Sequence, residues 1–156
     1  MTDAILERFW TNARRAVPTL PEAVPEAWAI GATESQADEL LALVLEGVKT
    51  GTAAAMQDLL ADGEAVPKVG QVSVILDGRD QPRAVIVTTA VEIVPFTEVS
   101  AEHARSEGEG DRTLAAWHEI HEEFWREHGR GADGFSEDML VVCERFRLMY
   151  AQWPHT

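Results

Sequence analysis

A chain of 156 residues with 46% hydrophobic content suits one globular domain with a packed core. Its 27 acidic residues against 13 basic give a net charge of −14, which argues against a generic nucleic-acid binder, because phosphate contacts call for excess Lys and Arg. No apolar run reaches the roughly 18 residues of a membrane span. The start, Met1-Thr2-Asp3-Ala4-Ile5-Leu6-Glu7-Arg8, lacks the basic and apolar regions of a secretory leader, so a cytoplasmic protein is expected. The one cysteine, Cys143, fits a reducing compartment. It lies in an apolar run and reads as a small buried hydrophobe rather than a nucleophile.

In chain order, Thr2 or Asp3 caps a first helix running to about Ala16, with Leu6, Phe9, Trp10 and Ala13 on one stripe. Three prolines make 17–25 an extended connector. Trp28-Ala29-Ile30 reads as a short strand. Thr33 or Ser35 caps a second helix over 34–46, whose Leu40, Leu41, Val44 and Leu45 form a stripe. Residues 53–61 read as another short helix. The alternating segment 71–77, the turn 77–82 and the return strand 83–94 predict a hairpin. Ser100 caps a short helix through Ser106, and 108–111 is a loop. A helix over 113–128 carries Leu114, Trp117, His121 and Phe124 on one face. After a glycine-rich turn, 139–150 is the last strand. Helices and strands mix without regular βαβ alternation, so the fold class is α+β.

The segment Gly47-Val48-Lys49-Thr50-Gly51-Thr52 concentrates polar chemistry directly behind the second helix. Gly47 stands where a helix end favours positive φ. Lys49 supplies a point charge, Thr50 and Thr52 supply hydroxyls, and Gly51 admits close backbone approach. From spacing alone, Lys49 reads rather as a surface residue complementing the helix dipole. His118 and Glu122 are four apart on one helix, but the histidines 118 and 121 are three apart. That is not the zincin spacing, and no metal site is expected. The acidic Gly108-Glu109-Gly110 loop lacks the fingerprint of a dinucleotide site. Trp10, Trp117 and Trp125 sit at helical spacing with apolar residues and read as core. Arg145 and Arg147 share a face of the last strand, poised either for phosphate or for pairing with surface acids.

The stretch from Trp28 to about Tyr150 resembles the ASCH family. The carriers of the resemblance are the Gly-x-Lys-x-x-Thr pattern of Gly47, Lys49 and Thr52, then Pro67-Lys68-Val69-Gly70, Val91-Glu92-Ile93-Val94-Pro95-Phe96, 107–112 and Val141-Val142-Cys143-Glu144-Arg145-Phe146. Ile30-Gly31-Ala32 departs from the family's Phe-Gly-Asp-like turn. The resemblance implies a PUA-like mixed β-barrel with flanking helices, occupying 26–153 behind an N-terminal helix and connector (1–25). It also implies that Lys49 and Thr52 are catalytic, together with the Glu107 of His103-Ala104-Arg105-Ser106-Glu107. Extra glycine and acid residues before Thr113 leave Glu109 and Asp111 competing with Glu107. Trp28, Gly47, Thr50, Glu109, Asp111, Arg112 and Arg145 complete the expected ligand-binding set.

Three functions follow from the resemblance. The first is recognition of RNA or a modified nucleoside, with hydrolysis of the amide of N4-acylated cytidine. The second is a non-catalytic RNA-binding module, and the third a ribonuclease using a divalent metal such as manganese. No cofactor is expected outside the third. The expected partners are the nucleoside or RNA and no membrane. A second copy of the chain is also expected if Phe9 and Trp10 of the N-terminal helix dock on another subunit rather than on their own sheet.

Overall fold

A computed structural model describes residues 3–131 and 133–152. The elements run α1 (Asp3–Ala16), β1 (Ala27–Ala29), α2 (Glu34–Leu45), β2 (Gly51–Ala55), α3 (Met56–Asp62), β3 (Val72–Leu76) and β4 (Pro82–Pro95). A 3₁₀ turn at Phe96–Glu98 leads to α4 (Ala101–Glu107), α5 (Leu114–His128) and β5 (Leu140–Ala151). The fold class is α+β, as the sequence predicts. Five strands are hydrogen-bonded in the order β1-β3-β4-β5-β2. β1 pairs with β3 in parallel, while β3–β4 and β2–β5 are antiparallel. β1 and β2 stand at the two ends of this order, so the expected barrel is not closed among the described residues.

The chain forms two compact units that interleave in sequence. The first comprises the described residues of Met1–Gly47, Gly70–Val87 and Arg147–Thr156. Its core gathers Phe9, Trp10, Ala13 and Leu20 against Val74, Leu76 and Val85. The apolar stripe read from α1 therefore packs on strands of its own chain. Trp10 Nε1 donates to Pro21 O at 3.1 Å, which ties the proline connector to the helix. Thr33 caps α2 by accepting from Gln36 N, and Gly47 follows α2 at φ +80°, the left-handed turn expected of a helix end.

The second unit comprises Val48–Val69 and Thr88–Phe146. Its core joins Ala55, Phe96, Val99, Ala104, Trp117, Trp125, Met139, Val141 and Cys143. Here one expected element changes. The alanine-rich run from 53 reads as helix, yet Gly51–Ala55 is strand and the helix starts at Met56. Alanine favours helix locally, but the ladder with β5, from Gly51 opposite Arg145 to Ala55 opposite Val141, overrides that preference. Ser100 caps α4 by accepting from His103 N, as the sequence predicts, while Thr113, read as the first residue of its helix, instead caps α5 by accepting from Ala116 N.

Candidate functional site: a buried lysine and its carboxylate

The Lys49 segment is stitched between α4 and β5 before β2 begins. Thr50 N donates to Ser106 O at 2.7 Å, and Phe146 N donates to Thr50 O at 3.0 Å. Gly51 is required by this close approach. A Cβ there would collide with Ser106 Oγ and meet Glu144 O at 3.1 Å and Arg145 Cδ at 3.2 Å. The backbone thus fixes Lys49 under the C-terminus of α4.

There the lysine is almost wholly enclosed. Its side chain is 1% exposed, as is that of Glu107. Nζ lies 3.3 Å from each of three acceptors: Glu107 O, Glu107 Oε1 and Glu109 Oε2. Three acceptors match the three N–H groups of an ammonium, so every donor of Lys49 is used. Burying a charge at this depth is tolerable only because it is paired and hydrogen-bonded.

Glu107 is served on both oxygens. Oε1 takes Lys49 and His121 Nε2 (3.2 Å), and Oε2 takes His103 Nε2 (2.7 Å) and Trp117 Nε1 (2.6 Å). The helices deliver these donors by their period. His103 precedes Glu107 by one turn of α4, and Trp117 and His121 are one turn apart on α5. Burial alone would raise the Glu107 pKa. The Lys49 and His121 charges and the histidine hydrogen bonds outweigh it and hold the carboxyl well below the usual range.

The contacts also assign the histidines. His121 Nδ1 lies 2.9 Å from Trp117 O, and its Nε2 faces a carboxylate. Both partners only accept, so both ring nitrogens carry protons and His121 is an imidazolium. Burial opposes that charge, but Glu107 foremost, then Glu109 and the Trp117 carbonyl, lift its pKa. The ring stacks on Trp117 with centroids 4.1 Å apart at 17°, a cation–π arrangement. His103 is the opposite case. Arg145 Nε donates to its Nδ1 at 3.3 Å, leaving the proton on Nε2 for Glu107. His103 is therefore neutral.

The structure brings together Lys49, Glu107 and Glu109, but not the other expected members. Thr52 is paired across the ladder with Glu144, whereas Gly51 faces Arg145 and Ala53 faces Cys143. Strand alternation sends Thr52 to the face of Glu144, opposite the face of Ala53 and Cys143, which belong to the core under α5. Thr50 Oγ1 reaches Ser106 O at 3.4 Å. Asp111 Oδ1 accepts from Thr113 N and Oγ1, which lowers the Asp111 pKa and makes it a local turn cap. Arg112 holds φ +67° and donates from Nε to Arg105 O. Arg145 pairs with Glu102 at 3.4 Å and also donates to His103. Trp28, half-buried on β1 opposite Ile75, and Gly47 belong to the first unit.

Two site residues escaped the sequence reading. Trp117 and His121 read as packing, and they do pack, but each also aims a ring N–H at Glu107. Their spacing by four toward a buried acid is the signal. Outside the cluster, on the face of Thr52, lies Glu144. It is buried, accepts from Thr88 Oγ1 at 2.7 Å, and has its pKa raised by burial. Cys143 is the inert buried thiol expected, pushed up to about 12 by burial and by Glu107 and Glu92.

Glu107, Glu109 and His121 place ligand atoms within 4.8 Å of one another, the spread of a metal triad. The arrangement does not fit a metal. The Lys49 ammonium already bridges the two carboxylates, and both nitrogens of His121 are donors.

The fold is an α+β domain in which a buried lysine–glutamate pair joins the segment before β2 to the end of α4. Comparison makes this specific. A family model described as an ASCH domain matches residues 26–150. A protein from Enterococcus faecalis of known crystal structure is 36% identical, with 94% of this chain and 89% of that one covered and a TM-score of 0.82. An ASCH domain from Lactobacillus crispatus is 28% identical, with 96% of both chains covered and a TM-score of 0.79. No curated protein matches. The chain belongs to the ASCH domain family, whose fold is the PUA-like RNA-binding type. No described helix is long and apolar enough to cross a membrane.

Proposed function

We propose that this ASCH domain recognises a modified nucleoside at the Lys49 cluster and hydrolyses the amide of N4-acylated cytidine. One observation carries the reading. Lys49 and Glu107, 58 residues apart, meet as a buried, fully hydrogen-bonded ion pair with a second carboxylate, Glu109, at its solvent edge. A core built for stability alone gains little from such a pair, since apolar packing serves as well.

In this mechanism Lys49 is the fixed positive charge that stabilises the oxyanion formed when water adds to the acyl carbonyl carbon. Glu107, anionic and clamped by four donors, positions Lys49 rather than moving protons. Glu109, 20% exposed, takes the proton of the attacking water and passes it to the cytidine N4 as the C–N bond breaks. The products are a carboxylic acid and cytidine. Thr52, turned to the Glu144 face, is left out, and water is the nucleophile.

The test is release of cytidine from N4-acetylcytidine by purified protein, followed by chromatography, beside Lys49→Ala. Turnover lost in the variant supports the reading, and no turnover by the native protein refutes it. The saturation of Glu107 favours a second reading, a binding module without chemistry. That reading predicts salt-sensitive retention of labelled RNA with no product. The metal-dependent ribonuclease reading requires displacing Lys49 from between its carboxylates, and chelator-sensitive RNA cleavage would be its signature.

A further inference from the structure

Lys49 is sealed. Of its three acceptors, two belong to Glu107, which is itself 1% exposed, and only Glu109 reaches solvent. A ligand therefore meets the ammonium only where the Glu109 carboxylate now stands. We propose that Glu109 is a gate: its carboxylate swings off Lys49 Nζ, and an oxygen acceptor of the ligand, a carbonyl or phosphate oxygen, takes the vacated donor.

The loop is built for this movement. Gly108 is pinned, because a Cβ there would lie 2.9 Å from both Val48 Cγ1 and Val48 O, and its φ is +72°. Beyond it, Glu109 O accepts from Arg112 N at 3.1 Å, so 109–112 form one small turn. Arg112 is held at φ +67°, a left-handed conformation that an L side chain adopts at a cost. Asp111 and Thr113 close the far end against the start of α5. The turn thus hangs between two anchors, and a rotation within it moves Glu109 without disturbing α4 or α5. Glu107 and the His121 imidazolium stay behind and keep Lys49 in place when the gate opens.

This inference rests on Lys49 being the ligand-binding group, yet its first test needs no substrate. The chain has two lysines, Lys49 and the exposed Lys68. Limited acylation with an amine-reactive ester, followed by peptide mass mapping, reads both rates in one sample, with Lys68 as internal reference. Lys49 is expected to react far more slowly than Lys68 in the native protein. In Glu109→Ala it should react about tenfold faster than in the native protein, the factor set by losing one charge-assisted hydrogen bond. Lys68 should be unchanged. Glu109→Gln, which keeps the shape and a neutral acceptor, should fall between. Lys49 acylated as readily as Lys68 in the native protein, or unchanged within twofold in both variants, overturns the gate.

The second arm adds N4-acetylcytidine or inorganic phosphate to Glu109→Ala before acylation. Protection by the nucleoside identifies a carbonyl at the vacated donor, and protection by phosphate identifies a phosphate oxygen. Protection by neither overturns the ligand half of the proposal. Lys49 unmasked in Glu109→Ala, together with no cytidine release by the native protein, would refute the hydrolase reading while leaving the gate standing.

Discussion

Replacing Glu107 by Gln keeps the shape of the side chain and removes its charge. The consequences follow from the four donors around it. In the native protein each carboxylate oxygen accepts two hydrogen bonds. In the variant one position becomes an NH2 group facing two donors, so two contacts turn repulsive whichever way the amide lies. Lys49 and the His121 imidazolium then remain buried with only Glu109 to balance them. Removing one partner of a buried ion pair costs about 3–5 kcal/mol, a large part of the 5–15 kcal/mol that about holds a domain folded. Urea unfolding followed by tryptophan fluorescence reads the loss. With a slope of about 2 kcal/mol per molar urea, the midpoint should fall by about 2 M. A midpoint within about 0.3 M of the native one would refute the reasoning, because it would mean that the cluster re-solvates at no cost.

The pH dependence has a defined sign. Glu107 has a depressed folded pKa, so its stabilisation is present above its unfolded value, about 4.3, and is lost as pH falls through the folded value. His121 has a raised folded pKa, so its contribution is complete below about 6.5 and is lost as pH rises through the folded value. Urea midpoints should therefore decline from pH 6 toward pH 9, and His121→Gln should flatten that decline. Glu144 is the converse case: burial raises its pKa, so ionising it above the unfolded value weakens the fold. Glu144→Gln, still able to accept from Thr88, should melt no lower than the native protein at pH 8, and a lower melting temperature would contradict this. Gly51→Ala should cost about 2 kcal/mol by overpacking against Ser106. That is about 4–8 °C in a calorimetric scan, and Ser106→Gly in the same chain should recover part of it.

Much of the architecture was legible because its causes are local. The Ser100 cap, the stripe of α1, the β3–β4 alternation and the proline connector all act within a few residues. The strand at Gly51–Ala55 was not legible. Its alanines have no strand preference of their own, and only β5, some 90 residues further on, makes them one. The open order of the sheet was equally out of reach, since a family resemblance carries topology but not the closing of an edge.

For the site, the resemblance carried by the sequence implied Lys49 and an acid of the 107–111 loop as the residues to look at. The carriers were the Gly47, Lys49 and Thr52 pattern and the segment from His103 to Glu107. Only tertiary structure chose among the acids. It placed Glu107 in the middle and Glu109 at the rim, and it turned Asp111 toward its own backbone. It also decided that Thr52 faces away, because a side chain's face is set by pairing register rather than by distance along the chain. The protonation of His103 and His121 belongs to the same level. Two histidines of identical intrinsic chemistry differ because Arg145 donates to one and a carbonyl accepts from the other, and those partners meet only in the folded chain.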